Sequence, residues 1–86
     1  MKFQGAVILE QGVTFAIVLV KKSALSSTNK ANEVRDSFQR YFQSLPLVLA
    51  AQDASGRFEY QGRKDLVNFL ANLHPSQIPW SEYTTS

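Results

Sequence analysis

The polar segment 21–30 has the residue types of a phosphate-binding site. Lysines stand at both ends of it (Lys21, Lys22 and Lys30), and Ser27 and Thr28 lie between them, just before a predicted helix. The N-terminus of a helix offers free N–H groups and the positive end of the helix dipole, and the lysines would add charge. The same residues also fit a plain capping sequence after a solvated lysine pair, because the segment has no glycine and no phosphate-loop pattern. Both interpretations stay open at this point.

Basic and aromatic side chains alternate near the second predicted hairpin. Phe58 and Tyr60 stand close to Arg57, Arg63 and Lys64, and single-stranded nucleic acids bind by stacking on strand aromatics beside basic side chains. Strand alternation, however, puts both aromatics on one face, which is the ordinary way to cover a core. Nearby carboxylates also dilute the positive charge. The pattern therefore favours a core role over nucleic-acid binding.

Chemistry that needs cysteine or several histidines is excluded by composition. The chain has no cysteine and a single histidine, His74, which excludes a disulfide scaffold, an iron–sulfur cluster, a thiol nucleophile and a multi-histidine metal site. The carboxylates show no paired motif, and no serine lies in a nucleophile-elbow pattern. His74 itself fits the C-terminus of a helix, where the helix dipole favours positive charge. We therefore expect no catalytic residue, no metal ion and no cofactor.

The overall charge and hydrophobicity are those of an ordinary globular domain. Of the 86 residues, 44% are hydrophobic and 19% are charged, and the formal net charge is +2. So small an excess does not indicate a nucleic-acid binder. The apolar run from Gly12 to Val20 is too short for a bilayer, which needs about 20 residues, and no cleavage-site pattern follows it. These features predict one cytoplasmic domain, 1–86, without a membrane partner.

Hydrophobic patterns divide the chain into two similar units followed by a tail. The first unit is a hairpin over 3–20 with a helix over 30–44, and the second is a hairpin over 47–61 with a helix over 63–73. The tail, 76–83, contains several apolar side chains and is expected to dock on the body. The economical fold is an α+β two-layer sandwich of order ββαββα, in which a four-stranded sheet carries both helices on one face.

The second unit has a proline-led strand, a glycine in its turn and a Tyr-x-Gly end before the last helix. These features fall on Pro46–Leu49, Gly56, Tyr60–Gly62 and Leu66–Leu70. In them the unit resembles the C-terminal half of the thioredoxin fold, which implies a thioredoxin-like topology for this half alone. The Cys-x-x-Cys pair of that family is absent, so the resemblance implies no redox activity.

Short motifs of the C-terminal half are shared with another group of proteins. The motifs are Ala51-Gln52-Asp53, Gly62-Arg63, Phe69-Leu70-Ala71 and Ile78-Pro79-Trp80. In this stretch the chain is similar to small bacterial proteins with no assigned activity. The resemblance implies a bacterial domain and no particular chemistry.

An open sheet face is the strongest indication of function in the sequence. If both helices cover one face, the opposite face of the second predicted strand presents Ala16, Val18 and Val20, and contiguous apolar patches usually mark interaction sites. Trp80 in the tail would either join this interface or cover it. We therefore predict a non-enzymatic domain that associates with itself, as a homodimer through this face or the adjoining strand edge, or with another protein. The alternatives are weak binding of phosphate or nucleic acid by residues 21–30, and a thioredoxin-like fold without redox activity.

Overall fold

The computed structural model describes residues 1–10 and 12–85, which form five strands and two α-helices. The strands are β1 (Lys2–Glu10), β2 (Val13–Leu19), β3 (Leu47–Gln52), β4 (Phe58–Gln61) and β5 (Ser81–Thr84). The helices are α1 (Thr28–Gln39) and α2 (Lys64–Ala71), and short 3-10 helices cover Lys22–Leu25 and Pro75–Gln77. Within the described part of the chain, no helix is long and apolar enough to cross a membrane.

All five strands belong to one mixed sheet with the order β4-β3-β2-β1-β5. β1 and β2 form an antiparallel hairpin, and so do β3 and β4. β2 and β3 are parallel to each other, because α1 connects them by a crossover along the sheet. β5 then pairs antiparallel with β1 at the edge opposite β4.

The two helices lie on opposite faces of this sheet. Ile17 packs in a cluster with Leu70 of α2, whereas its neighbour Val18 packs in a cluster with Phe38 of α1, and consecutive strand residues point to opposite faces. The β2–α1–β3 crossover uses one face, so α2 returns over the other face from β4 to reach β5 at the far edge. The prediction of a two-layer sandwich, with four strands and both helices on one face, is therefore wrong. Over the residues that the structure describes, the domain has three layers and five strands.

β5 is the strand that the predicted order ββαββα lacks. Tyr83 is its one large apolar residue, so the hydrophobic pattern gives no strand signal. The strand is held by residues distant in the sequence: the Tyr83 ring stacks on Phe3 at 5.2 Å and meets Phe42 edge-on at 5.3 Å. Met1 and Thr85 also exchange two backbone hydrogen bonds, of 3.0 and 2.8 Å. Tertiary packing, and not local propensity, makes this segment a strand.

α1 is shorter than the predicted helix 30–44 and begins earlier. Ser27 is its N-cap, and the hydroxyl of this residue accepts a hydrogen bond of 3.1 Å from the backbone of the first turn. Beyond the helix, the Gln39 side chain donates to the carbonyls of Phe42 and Leu45 at 2.9 and 2.8 Å. The turns held in this way still bury Phe42 in the core, which explains why the apolar pattern continues past the end of the helix.

Arg35 links α1 to the sheet by hydrogen bonds. Its guanidinium donates to the carbonyl of Leu47 at 3.2 Å, to the carbonyl of Gln61 at 3.3 Å and to the Asn32 side chain at 2.7 Å. Partial burial lowers the pKa of Arg35. The side chain therefore joins the helix to the beginning of β3 and the end of β4.

The turn between β3 and β4 is organised by Asp53. One of its carboxylate oxygens accepts from the Ser55 backbone at 2.9 Å, from the Ser55 hydroxyl at 2.7 Å and from the Arg57 backbone at 3.0 Å. Gly56 adopts a φ of +88°, which favours glycine. These hydrogen bonds, led by that of the Ser55 hydroxyl, lower the pKa of Asp53, and the charge of Lys22 acts in the same direction.

Candidate functional site

One half of β1 has a free outer edge. β5 pairs with β1 only over Lys2–Gly5. The remaining five residues of the strand, Ala6–Glu10, have no strand beside them on that side within the described residues. Unpaired strand edges expose N–H and C=O groups that can bind another strand. We refer to Ala6–Glu10 as the free edge.

The direction of the backbone groups along the free edge follows from the pairing with β5. In an antiparallel ladder, successive residues turn their N–H and C=O alternately toward one neighbouring strand and the other. Met1 and Thr85 exchange both of their backbone bonds, so the odd-numbered residues of β1 face the β5 side. The N–H and C=O groups of Val7 and Leu9 therefore point outward, beyond the end of β5.

The side chains of Val7 and Leu9 are exposed beside these backbone groups. Val7 is 44% exposed and Leu9 is 71% exposed. Both share a sheet face with Phe3, which the cluster around α1 buries. One exposed apolar residue would be ordinary. Here two exposed apolar side chains stand at successive residues whose backbone groups point outward from an unpaired segment. Together they form a surface to which another strand can bind.

The residues that the sequence predicted for the interface lie elsewhere. Ala16 and Val18 are both 0% exposed, because α1 covers the face that was expected to be open. Val20 is half-buried against the same cluster. Trp80 is half-buried on the other face, where it stacks on Phe58 at 6.0 Å. A sequence signal for the free edge did exist, since alternation alone puts the odd-numbered apolar residues of the first strand on one face.

The structure separates the residues of the predicted phosphate site. Ser27 uses its hydroxyl as the cap of α1, and Thr28 begins the helix. Lys22 lies near the turn between β3 and β4, close enough for its charge to act on the aspartate there. Lys21 and Lys30 are brought together in the lining of a groove between α1 and the ends of β1 and β2. The helix N-terminus is thus a cap, and the groove is a separate feature.

Arg63 and the two aromatic residues of β4 have structural partners. Arg63 forms a bidentate ion pair with Asp65, with N–O distances of 2.8 and 2.7 Å. Hydrogen bonding to Arg63 lowers the pKa of Asp65 to about 2. The rings of Phe58 and Tyr60 stack at 6.2 Å against the α2 side of the sheet, and burial raises the pKa of Tyr60. Both aromatics are half-buried and pack against the core cluster on that side.

His74 is a capping residue. Its Nδ1 atom accepts a hydrogen bond of 3.1 Å from the Ser76 backbone, at the start of the 3-10 helix that follows. The Gln77 side chain accepts a bond of 3.3 Å from the His74 backbone in return. Among residues 1–10 and 12–85, no three His, Asp or Glu side chains are grouped closely enough to hold a metal ion.

Comparisons of the chain with protein-family models, with curated proteins and with solved structures give no match. The geometry of the structure favours two surfaces as binding sites, the free edge of β1 and the groove lined by Lys21 and Lys30.

Proposed function

We propose that the protein is an association module whose free edge binds a second copy of the same chain. The observation that carries the proposal is the coincidence, at Val7 and Leu9, of outward-facing backbone groups and exposed apolar side chains. Strand addition at such an edge gains affinity from main-chain hydrogen bonds and specificity from alternate side chains. The homodimer expected from the sequence is retained, at a strand edge and not at the face of β2.

The free edge is complementary to itself. A twofold axis at Ile8 places Val7 opposite Leu9 of the second copy, and Leu9 opposite Val7, in an antiparallel pair. Each of these two pairs exchanges two backbone hydrogen bonds, and all four apolar side chains lie on the same face of the joined sheet. Glu10, the one charged residue of the free edge, stands opposite Ala6 of the second copy. No like charges therefore oppose each other.

The proposed interface is small, so the dimer is expected to be weak. It pairs five residues of each copy, whereas a standard interface uses roughly 20–30 residues a side. Leu9 is 71% exposed. If pairing covers about half of that exposed surface, the two copies of Leu9 contribute roughly 1–2 kcal/mol per dimer. Removing them should raise the dissociation constant about 5- to 30-fold.

The test is the mass of the protein by sedimentation velocity over a concentration series, from about 10 μM to about 1 mM, the range in which weak interfaces dissociate. We expect the average mass to rise above 9.7 kDa with concentration. Leu9→Lys should shift this rise to higher concentration, because a lysine would bring charge into the apolar pair.

Gln4→Lys is the matched control, since it adds the same charge at an exposed position of β1 that β5 already pairs. The control should associate like the wild type. A mass of 9.7 kDa at every concentration would refute the proposal, and so would equal effects of the two lysines.

A further inference from the structure

A groove with a volume of about 520 Å³ opens between α1 and the ends of β1 and β2. Its β1 wall is Lys2 and Phe3, so it lies at the other end of that strand from the free edge. Ligand pockets commonly have volumes of about 300–1,000 Å³. The groove is therefore large enough for a small molecule, and its occupancy does not depend on the proposed dimer.

The walls of the groove are mainly apolar. Val20 follows the end of β2, and Val34 and Phe38 come from α1. Leu19 also borders the groove, but its side chain packs with the cluster on the other face of the sheet. Phe3 and Phe38 are 7% and 8% exposed, whereas Val20 and Val34 are half-buried. A partly exposed wall of this kind gains free energy when an apolar group covers it.

Lys21 and Lys30 lie in the lining beside these apolar walls, whereas strand alternation points the Lys2 side chain to the face opposite Phe3. All three lysines are exposed, and no carboxylate belongs to the lining. Within the described residues, none of these lysines forms an ion pair with an acidic side chain, since Arg63 and Asp65 form the ion pair found there. The groove thus combines apolar walls with uncompensated positive charge at its margin.

We propose that this groove binds an alkyl carboxylate. The chain lies on the apolar walls, and the carboxylate lies between the ammonium groups of Lys21 and Lys30. Charge complementarity selects an anion, because the lining supplies positive charge and no negative charge. The walls select a ligand with an apolar chain, because a bare inorganic anion would leave them exposed to water.

The test is calorimetric titration of the whole protein with decanoate, kept below its micelle-forming concentration, at low ionic strength. Acetate supplies the charge without the chain, and decanol supplies the chain without the charge. Amide chemical-shift changes in a titration with decanoate locate the site. We expect one decanoate per chain, weaker binding of both partial ligands, and shifts centred on the ends of β1 and β2 and on the first half of α1.

The charge requirement is tested with the double variant Lys21→Gln and Lys30→Gln. Because exposed ion pairs are weak, we expect it to reduce decanoate affinity roughly three- to tenfold. Lys64→Gln, at the beginning of α2 and outside the groove, should leave the affinity unchanged. Absence of decanoate binding, several molecules bound per chain, equal binding of decanol, or equal effects of the double variant and of Lys64→Gln would each overturn the proposal.

Discussion

Replacing Val7 by proline tests the outward-facing backbone groups of β1 without disturbing the groups that pair with β2. Proline lacks a backbone N–H, so it is tolerated on a strand only where that group faces no partner strand. The N–H of Val7 points outward, whereas that of Ile8 belongs to the ladder with β2, opposite Phe15. We therefore expect Val7→Pro to fold as a monomer but to lose association, and Ile8→Pro to destabilise the fold itself.

The size of the effect follows from the hydrogen bonds of the proposed dimer. Val7 and Leu9 of the two copies share four backbone bonds, and Val7→Pro removes two of them, one from each copy. Each bond contributes a net of about 0.5–1.5 kcal/mol. The change therefore costs roughly 1–3 kcal/mol per dimer, which raises the dissociation constant about 5- to 150-fold.

The assay compares Val7→Pro, Ile8→Pro and Val7→Ala by sedimentation, and by urea unfolding at a concentration that keeps every variant monomeric. Val7→Ala retains the N–H group and removes most of the side chain, so it should weaken association less than Val7→Pro does. If Val7→Pro associates like the wild type, the free edge is not the interface. If Val7→Pro lowers the free energy of unfolding as much as Ile8→Pro does, the inference that the Val7 backbone groups point outward is wrong.

Two further predictions concern the stability of the fold. Because the folded-state pKa of Asp53 is lowered, its carboxylate stabilises the fold above the unfolded value of about 3.9, and this contribution is lost as the pH falls below that value. Asp53→Asn should therefore be less stable than the wild type in urea at pH 7, and the difference should shrink steadily in titrations below about pH 4; a constant difference would contradict this. Arg35→Met should lower the free energy of unfolding by about 1–2 kcal/mol through the loss of its hydrogen bonds to two sheet carbonyls, whereas unchanged stability in the same assay would show that those bonds contribute nothing.

The central strands of the fold could be predicted from the sequence, but the layers around them could not. Apolar residues on both faces of β2 indicate a central strand, and β2 is the middle strand of the sheet. A strand buried on both faces needs a cover on each. The hairpin–helix pattern occurs twice, and this repeat suggested that both helices lie on the same face of the sheet. The pattern does not show that β2 and β3 are parallel, so the predicted two-layer fold left one face open.

No local sequence pattern predicts the last strand, β5. Ser81–Thr84 has one large apolar residue, and its pairing depends on contacts of Tyr83 with Phe3 and Phe42. The free edge also depends on contacts between residues distant in the sequence. Alternation places Val7 and Leu9 on one face, but their exposure depends on where β5 stops and on how far α1 extends over the sheet. Both are properties of the tertiary structure.

The central claim is that the outward amides of the free edge become paired in a dimer. Residue-resolved hydrogen exchange of wild-type protein, measured at low and at high concentration, tests this claim directly. The amides of Val7 and Leu9 should exchange rapidly in dilute protein and slow down as the concentration rises, while the amide of Ile8, bonded to β2, stays protected throughout. Exchange at Val7 and Leu9 that is independent of concentration would contradict the account.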